Sequence, residues 1–323
     1  MAHVWSDGDV SPRFLVLAGG LSHERDVSLK SGRRVLDALR AVGVDADLRD
    51  ADASLLAHLA DVPYDAVLVC LHGGAGEDGA LREVLDIADV AYVGASPDAC
   101  RMVWDKPTAK ALAVRAGLST PASVVLPHAA FRELGAAAVL DRLVGHLGLP
   151  LMVKPARGGS ALGCTTVDKP DELPAAMVSC FSYGEAALVE RFVTGTEVAV
   201  TVVDTGDGPR ALPAVEVVPL SGVYDYTARY TAGQTEFFAP ARLSGQLSLA
   251  VADAAVAAHV ALGLRDLSRV DLVVEADGTV QLLEVNTAPG MTETSLLPMA
   301  VEAAGLSLGE LLRDLLLQAA GRR

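Results

Sequence analysis

The sequence predicts an α/β protein whose C-terminal part is α+β, organised as three domains. Residues 13–97 alternate buried strands with helices, which is the pattern of a parallel sheet that binds ligands at the carboxyl ends of its strands. The last third of the chain instead contains strand pairs joined by Asp-Gly turns, which favour antiparallel hairpins. The 323 residues also exceed the usual size of one domain. We therefore divide the chain into an N-terminal tail and three domains, residues 1–12, 13–97, 98–193 and 194–323.

The first domain is predicted to contain one alternating α/β unit. An apolar run at residues 14–18 ends at two glycines, which predicts a buried strand followed by a tight turn. The apolar residues of the next segment recur at helical spacing up to Gly43, so a helix is expected to end there. A second buried strand over 66–71, a helix over 81–87 and a short strand over 90–93 complete the unit.

The other two domains have a different order of elements. The second is predicted to contain two helices and then two strands separated by a glycine-rich loop, at residues 109–116, 131–147, 151–154 and 187–190. The third is predicted to contain a hairpin, a polar tyrosine-rich segment, an alanine-rich helix and a second hairpin, at residues 197–219, 223–235, 247–264 and 269–286. Strands that pair with their neighbours in sequence favour an α+β organisation in this part.

The charge and the cysteine content restrict the partners and the compartment. The chain has 41 acidic and 26 basic residues and a net charge of −15, so it lacks an overall basic surface for nucleic acid or an anionic membrane. Hydrophobic residues make up 51% of the chain, which is enough for globular cores. The four cysteines form no CxxC pair, and residues 1–12 lack the apolar run of a signal peptide. We expect a cytoplasmic protein without a nucleic-acid or membrane partner.

The hairpin at residues 269–286 carries the sharpest chemical signal. Its central Asp-Gly pair predicts a two-residue turn, and the resulting register places Asp271 opposite Glu284. Four polar side chains then point to one face of the sheet: Arg269, Asp271, Glu284 and Asn286. The other face is predicted to be the buried side, formed by Val270, Leu272, Val274, Leu283 and Val285.

Two carboxylates that face each other on a sheet repel, so another charge must offset theirs. One interpretation is a divalent cation such as Mg²⁺, bound by oxygens of Asp271, Glu284 and Asn286. The alternative is an ordinary surface on which Arg269 neutralises both acids. The third oxygen, on the Asn286 amide, favours the metal. The Pro-Gly turn and the hydroxyl residues at 287–296 can also present backbone N–H groups to an anion.

Two glycine-rich loops are candidates for binding phosphate. The loop at 154–163 follows a buried strand and begins with a lysine, so its N–H groups can cover phosphates, and a mobile surface loop is the equally weighted alternative. Residues 74–79 match the dinucleotide pattern G-x-G-x-x-G. We discount this match because Glu77 and Asp78 would place two carboxylates against a pyrophosphate. His72 ends the preceding strand, where parallel sheets bind ligands.

Seven segments in order resemble bacterial D-alanine–D-alanine ligases, members of the ATP-grasp superfamily: residues 17–28, 71–79, 104–106, 154–160, 224–230, 269–271 and 283–292. The resemblance runs from Phe14 to Leu317. It implies a three-domain ATP-grasp fold with ATP held between two sheets. Residues 13–97 would form a pre-ATP-grasp substrate domain with a parallel sheet, residues 98–193 the central lid domain and residues 194–323 the catalytic domain.

The resemblance also implies an activity. It predicts an ADP-forming ligase that converts ATP and two D-alanine molecules into D-alanyl-D-alanine, ADP and phosphate through an acyl phosphate, for peptidoglycan precursor synthesis. ATP and two Mg²⁺ ions are the expected cofactors, with Mn²⁺ as a substitute ion, and a homodimer is the expected assembly. Two alternatives stay open: another ATP-grasp carboxylate–amine ligase of an antibiotic or amino-acid pathway, and a nicotinamide oxidoreductase that uses residues 74–79.

Carried over residue by residue, the resemblance implies four groups of site residues. The catalytic group is Glu24, Ser160, Tyr230, Arg269 and Gly290. The substrate-binding group is His72, Ser295 and Leu296. The group that binds the nucleotide is Lys106, Lys154, Glu190, Val193, Glu197 and Arg229. The metal group is Asp271, Glu284 and Asn286, in agreement with the hairpin.

The resemblance also implies what these residues do. Glu24 is expected to receive the ammonium of the first D-alanine, and His72 is expected to lie near the carboxylate of that molecule. Arg269 and the Gly290 N–H would stabilise the oxyanion. The second D-alanine would bind through its carboxylate at residues 295–296.

Three positions depart from the resemblance. Arg229 stands where many relatives have lysine, and a guanidinium can still reach the γ-phosphate, although with fork geometry. Gly158 and Ala161 replace a glutamate and a serine in a loop that keeps its backbone donors.

Two segments are expected to close over the site as a lid, residues 156–163 and 223–235. The second contains Tyr230, where the resemblance places histidine in ligases that use D-lactate. A tyrosine stays neutral near pH 7 and does not repel an ammonium, so D-alanine is the expected second substrate.

Overall fold

The computed structural model of the chain describes residues 12–231 and 233–322, without the side chains of Thr227 and Tyr230. Apart from Pro12, the predicted tail lies outside the described residues. The described chain forms three β-sheets with helices packed against them, which confirms the mixed α/β class. No helix in this part of the chain is long and apolar enough to cross a membrane.

The N-terminal part forms the predicted parallel sheet. Its elements in chain order are β1 (Arg13–Ala18), α1 (Arg25–Ala41), β2 (Asp45–Asp50), α2 (Leu55–Asp61), β3 (Ala66–Val69), α3 (Ala80–Ile87) and β4 (Tyr92–Val93). The strands lie side by side in the order β2–β1–β3–β4. The sequence analysis missed β2, because this edge strand reads Asp-Ala-Asp-Leu-Arg-Asp and has no apolar run that would reveal it.

The middle of the chain forms a small antiparallel sheet covered by helices. Its elements are α4 (Pro97–Trp104), α5 (Lys106–Arg115), β5 (Ser123–Pro127), α6 (His128–Leu134), α7 (Ala136–Leu147), β6 (Leu151–Pro155), β7 (Thr165–Val167), α8 (Leu173–Phe181) and β8 (Ala186–Arg191). The strand order is β5–β8–β6–β7. The prediction of one helix over 131–147 is wrong, because Gly135 has a φ of 85° and separates two helices.

The C-terminal part forms a six-stranded sheet. Its elements are β9 (Thr196–Val203), β10 (Arg210–Ala211), β11 (Val215–Pro219), α9 (Tyr226–Tyr230), β12 (Thr235–Phe238), α10 (Gly245–Ala261), β13 (Leu267–Val274), β14 (Val280–Asn286), α11 (Leu296–Ala303) and α12 (Leu308–Ala320). The order is β12–β11–β9–β13–β14, and β10 also pairs with β9. Both predicted hairpins are present as antiparallel pairs.

The hairpin of β13 and β14 has the predicted register at the end away from its turn. Asp271 lies opposite Glu284, and Arg269 lies opposite Asn286. Near the turn the register differs by one residue, so that Leu272 lies opposite Leu282. The change occurs at a β-bulge between these two parts of the strand pair.

The turn itself explains why the bulge is needed. Glu275 N donates to Thr279 O at 2.9 Å, so the turn has three residues where two were predicted, and Gly278 has a φ of 86°. The bulge absorbs the extra residue and restores the predicted register at the carboxylates. The prediction that Leu283 faces the core is therefore wrong: Leu282 packs there, and Leu283 lines the cavity described below.

The cores show how the three sheets are joined. Apolar residues of β1 and α1 share one cluster with those of β9, β11 and α12, which ties the first sheet to the third. Helices α4 and α5 pack against β13, β14 and α10 in a second cluster. The central sheet has a separate cluster with α7 and α8. The strands of each sheet fall within one predicted domain, whereas α4 and α5 pack outside theirs, so the domain limits stay a prediction.

Candidate active site

A cavity of about 340 Å³ lies between the two antiparallel sheets. Strands β6 and β8 form one wall, which includes Met152 and Lys154, and strands β9, β13 and β14 form the other, which includes Asp271 and Leu283. All six residues predicted to bind the nucleotide line this cavity: Lys106, Lys154, Glu190, Val193, Glu197 and Arg229. Its size and its apolar walls with few polar groups are typical of small-molecule sites.

A buried carboxylate with two lysines stands at one end of the cavity. Glu190 is 2% exposed, and its two oxygens lie 2.5 Å from Lys110 Nζ and 2.6 Å from Lys154 Nζ. Burial alone would raise the pKa of Glu190, but the two ammonium groups outweigh it and lower that pKa. Burial lowers the pKa of Lys110 to about 8 in spite of its partner. Glu190 is therefore held as an anion.

Lys110 is a residue that the sequence analysis missed. It lies one helical turn after Lys106 on α5, and it is 5% exposed. The signal that was available is this spacing, because lysines four residues apart lie on the same side of a helix. A buried lysine needs an anionic partner, and the partner here is a candidate nucleotide residue, Glu190.

Glu197, on the opposite wall, has a different environment. Burial raises the pKa of Glu197 to about 7, although the charge of Arg229 opposes that rise. In β9 the residue lies opposite Val273 of β13, next to the carboxylate hairpin. Its carboxyl is thus placed to accept hydrogen bonds from a polar ligand in the cavity.

The predicted metal group comes together at the β13–β14 hairpin, where Asp271 and Glu284 line the cavity. Asp271 and Glu284 face each other across the hairpin, and Asn286 Nδ2 lies 3.3 Å from Asp271 Oδ2. Both oxygens of Asp271 also accept hydrogen bonds from Arg269, at 2.7 and 2.8 Å. Arg269 therefore neutralises Asp271, as the alternative interpretation of the hairpin required, but it does not pair with Glu284.

The carboxylate of Glu284 lies within a ring of cations. Arg229 Nη2 is 3.8 Å from Glu284 Oε1. Burial would raise the pKa of Glu284, but the charges of Lys106, Arg229, Lys154 and Arg269 lower it to about 2. One carboxylate surrounded by cations is a setting in which a polyanion such as a phosphate chain gains favourable charge contacts.

The donor set fits a divalent cation that shares its ligands with a substrate. Within residues 12–231 and 233–322, no group of three or more His, Cys, Asp and Glu side chains forms a closed metal site. Two carboxylates and an amide oxygen on one sheet face are hard ligands that suit Mg²⁺ with several positions left for phosphate and water. The residues present therefore fit the ion that the sequence predicted.

A second cavity, of about 80 Å³, adjoins the first and shares Tyr224 and Arg229 with it. It brings together residues predicted to bind or convert the substrate, from five separate segments: Glu24, His72, Ser160, Arg269, Gly290, Ser295 and Leu296. The side chain of Tyr230, the remaining catalytic candidate, lies outside the described residues.

The loop after β6 reaches the second cavity. Ser160 Oγ donates to Glu24 Oε1 at 2.6 Å, and Ser160 has a φ of 52°. Glu24 is 6% exposed and lies so close to Gly73 that a Cβ atom there would be 1.9 Å from Glu24 Oε2. The loop thus covers a buried carboxylate, and its role as a lid stays a prediction.

The other wall of the second cavity belongs to the segment between β14 and α11. Ser295 is the N-cap residue of α11, and its Oγ accepts a hydrogen bond from Thr292 N at 3.0 Å. A Cβ atom on Gly290 would lie 2.7 Å from Ser295 Oγ, so only glycine fits at that position. Free N–H groups at the start of a helix are a common binding site for a carboxylate.

Glu77 is a second residue that the sequence analysis missed as a site residue. It lines the second cavity, where burial and the neighbouring Glu24 raise the pKa of Glu77 to about 7. Its Oε1 accepts a hydrogen bond from Gly73 N at 2.9 Å. The sequence analysis considered Glu77 only as an argument against dinucleotide binding, although an inward-facing acid at a strand end was available as a signal.

The dinucleotide pattern at residues 74–79 does not form a phosphate site. Gly79 precedes α3, and a Cβ atom there would lie 2.5 Å from the carbonyl oxygen of Pro97. The N-terminus of α3 is therefore covered by protein where a pyrophosphate would have to bind. The interpretation as a nicotinamide oxidoreductase finds no support in this geometry.

The chain matches a family model described as "D-ala D-ala ligase C-terminus" over residues 112–317. It is 41% identical over 305 residues to the D-alanine–D-alanine ligase of Bordetella petrii, covering 94% of this chain and 91% of that protein. It is 42% identical over 306 residues to the D-alanine–D-alanine ligase of an Anaeromyxobacter species, covering 94% of this chain and 96% of the relative.

Solved structures with the same fold include two ligases. The D-Ala:D-Ser ligase VanG from Enterococcus faecalis superposes with a TM-score of 0.83 at 28% identity, covering 96% of this chain and 100% of that one. The D-alanine–D-alanine ligase from Bacillus anthracis complexed with ATP has a TM-score of 0.78 at 28% identity, covering 97% and 98% of the two chains. These likenesses confirm the predicted ATP-grasp fold.

Proposed function

The chain belongs to the D-alanine–D-alanine ligase family, and we propose that it joins two D-alanine molecules at the expense of ATP. It is an ATP-dependent, ADP-forming ligase, and the product is a precursor of peptidoglycan. One observation carries the assignment of the site: a nucleotide-sized cavity meets a smaller one at Arg229, and the smaller cavity holds a buried carboxylate and a helix N-terminus. Those two groups are complementary to an amino acid's ammonium and carboxylate.

We assign ATP to the larger cavity. The adenine would lie near Glu190 and the backbone of Val193, and the ribose hydroxyls would donate to Glu197. The phosphates would then extend toward Lys106, Lys154 and Arg229, whose charges also act on Glu284. The loop at 158–161 would cover them with backbone N–H groups.

We further propose that Asp271, Glu284 and Asn286 hold two Mg²⁺ ions together with the phosphates. The ions would supply charge compensation between the β- and γ-phosphoryl groups. The two hydrogen bonds from Arg269 to Asp271 orient that carboxylate on the wall of the cavity. Glu284 is ionised at neutral pH, because the cations around it lower its pKa.

The smaller cavity would bind the first D-alanine. Its ammonium would pair with Glu24, and its carboxylate would lie against Arg269 and the Gly290 N–H, facing the γ-phosphate. Attack of that carboxylate on the γ-phosphorus breaks the bond to the β–γ bridging oxygen and gives an acyl phosphate and ADP. Ser160, bonded to Glu24, keeps the loop closed so that water does not hydrolyse the acyl phosphate.

The second D-alanine would then bind with its carboxylate at the N-terminus of α11, residues 295–296. Its amine attacks the acyl carbon, and the oxyanion that forms is stabilised by Arg269 and the Gly290 N–H. Loss of a proton from the amine and departure of phosphate complete the peptide bond. His72 makes no charged contact in this step, because burial lowers its pKa to about 4 and keeps it neutral.

The experiment that tests this function measures phosphate release and identifies the products by mass. ATP and Mg²⁺ are supplied with D-alanine alone, with D-alanine and D-serine, and with D-alanine and D-lactate. We expect D-alanyl-D-alanine in every mixture. The D-serine arm is needed because VanG, a structural relative, is a D-Ala:D-Ser ligase. Predominant D-alanyl-D-serine would replace the proposed second substrate, and no phosphate release would contradict the ligase.

We keep a homodimer as the proposed assembly, on the basis of the family alone. Sedimentation velocity at several protein concentrations would test it, and a monomer at all of them would contradict it.

A further inference from the structure

A closed ring of hydrogen bonds connects helix α1, the end of β3 and the segment before α11. Ser31 Oγ lies 3.0 Å from His72 Nε2 and accepts a hydrogen bond from Met291 N at 3.2 Å. His72 Nδ1 lies 3.1 Å from the carbonyl oxygen of Ala288. Ser31, His72 and the two loop residues are all buried. The ring therefore holds both ends of the four-residue loop 288–291.

The directions of these hydrogen bonds follow from their chemistry. A carbonyl oxygen only accepts, so His72 Nδ1 carries the proton that is donated to Ala288. In the neutral ring Nε2 is then a bare acceptor, and the Ser31 hydroxyl must donate to it. The same hydroxyl oxygen accepts from Met291 N. The Ala288 carbonyl thus fixes the tautomer of His72. Ser31 satisfies the remaining ring nitrogen and holds one end of the loop.

The charges around His72 support the neutral form. Arg269 on β13 lies near enough to lower the pKa of His72 further, after burial, while the hydrogen bond to Ala288 opposes the fall. Glu24 and Glu77 are the acids that line the same cavity. The outcome is a pKa of about 4, so the ring stays intact at neutral pH.

We propose that Ser31 is a positioning residue for the backbone N–H of Gly290. This inference rests on the proposed function, in which that N–H stabilises the oxyanion. Gly290 lies between the two loop residues that Ser31 and His72 hold, and its Cα is packed against Ser295. Loss of the Ser31 hydroxyl would leave Met291 N and His72 Nε2 buried without partners, and the loop would move to satisfy them.

The test compares Ser31→Ala with Ser28→Ala as a matched control. Both serines lie in α1 and are fully buried, and Ser28 Oγ also makes two hydrogen bonds, from Gly19 N and to Cys70 O, each 2.8 Å long. Neither of these two partners of Ser28 lies in the loop 288–291. We expect Ser31→Ala to lower kcat about 10- to 100-fold with the KM for ATP unchanged, since small displacements at a reacting centre have effects of this size.

The control should lose similar thermal stability and keep a kcat near that of the wild type. Ser31→Cys, which keeps a weak donor and acceptor, should fall between Ser31→Ala and the wild type. Equal kcat values for the two alanine variants would overturn the inference while leaving the proposed function intact. A wild-type enzyme without ligase activity would overturn the proposed function instead.

Nitrogen-15 NMR of the His72 imidazole in the wild type gives a readout that needs neither activity nor a variant that folds. In the wild type, His72 should be neutral and protonated at Nδ1 between pH 6 and 8. In Ser31→Ala its titration midpoint should rise, because the hydroxyl donor that stabilises the neutral ring is gone. A wild-type ring that is charged or protonated at Nε2 in this range would contradict the hydrogen-bonded ring and with it the inference.

Discussion

The two cavities of the site are built in different ways. The larger one takes its polar side chains mainly from β-strands: Lys154 from β6, Glu190 from β8, Glu197 from β9, Asp271 from β13 and Glu284 from β14. The smaller one takes them mainly from loops and helix starts: Glu24 before α1, His72 after β3, Ser160 after β6 and Ser295 before α11, with the backbone of Gly290 beside them. Strands supply the cavity proposed for the nucleotide, and connecting segments supply the cavity proposed for the amino acids.

Because of this difference, we expect the two cavities to depend differently on contacts between distant segments. A strand residue is fixed by the ladder hydrogen bonds on both sides, so the larger cavity keeps its charges in place without a ligand. The smaller cavity depends on contacts between distant segments, such as that of Ser160 with Glu24 and the ring around His72. Changes in the two cavities should therefore have separable effects on ATP and on D-alanine.

The largest effect is expected for the carboxylates of the β13–β14 hairpin. Asp271→Asn and Glu284→Gln should each lower turnover about 10³-fold or more, because charge compensation by bound metal ions amounts to several kcal/mol. Steady-state phosphate release at saturating Mg²⁺ measures this. Glu275→Gln is the matched control, since Glu275 lies at the turn end of the same hairpin, where it pairs with Arg191 and Gln281. Near-normal turnover in either site variant would contradict the metal assignment.

The same comparison explains what the sequence could predict. On the β13–β14 hairpin, the Asp-Gly turn and the strand periodicity placed Asp271 opposite Glu284, and the structure confirms it. The predicted turn was one residue too short, but the β-bulge offsets this extra residue before the carboxylates. Between the turn and the bulge the register differs, and Leu283 was therefore assigned to the wrong face. Periodicity carries no information about insertions of one residue.

The smaller cavity could not be built from sequence patterns. Glu24 and Ser160 are 136 residues apart, and nothing in either segment indicates that they meet. Only the resemblance to a known family brought them together. Lys110 was missed because its spacing from Lys106 indicates a shared side of the helix but not burial, and its partner Glu190 lies in another segment. Glu77 was missed because only the fold places it beside Glu24. Contacts of this kind depend on the tertiary fold and not on local spacing.

An intermediate effect is expected for the carboxylate of the smaller cavity. Glu24→Gln keeps an oxygen that can accept from Ser160 but removes the charge that would pair with an ammonium. We expect the KM for the first D-alanine to rise about 10- to 100-fold, the usual loss for a hydrogen bond to a charged group, with the KM for ATP unchanged. Initial rates with each substrate varied in turn give both constants.

The control for this prediction lies two residues further along α1. Asp26 is exposed to solvent and faces away from the cavity residues, so Asp26→Asn should leave both KM values near those of the wild type. A Glu24→Gln variant whose KM for ATP rises as much as its KM for D-alanine would show that the two cavities do not act separately.

The smallest effect concerns a property that the cavities share. Each holds one carboxyl group whose pKa burial raises to about 7, Glu197 in the larger and Glu77 in the smaller. In the unfolded chain such a group ionises near pH 4.3. Between these two values the folded state binds more protons, so the stability that each group contributes is complete at low pH and is lost as the pH rises through 7.

Glutamine at either position is neutral at every pH and does not suffer this loss. At pH 8, without ligands, Glu77→Gln and Glu197→Gln should therefore each melt about 2–4 °C above the wild type, and the difference should shrink toward zero as the pH is lowered to about 4. Groups with lowered pKa values, such as Glu190 and Glu284, are present in the wild type and in both variants. Their contributions therefore cancel in the difference between the melting temperatures. Glu302→Gln, an exposed change on α11, is the control and should show no pH-dependent difference. If only one cavity variant gains stability at pH 8, water must solvate the ionised carboxylate in the other cavity. The two cavities would then differ in hydration as well as in the elements that build them.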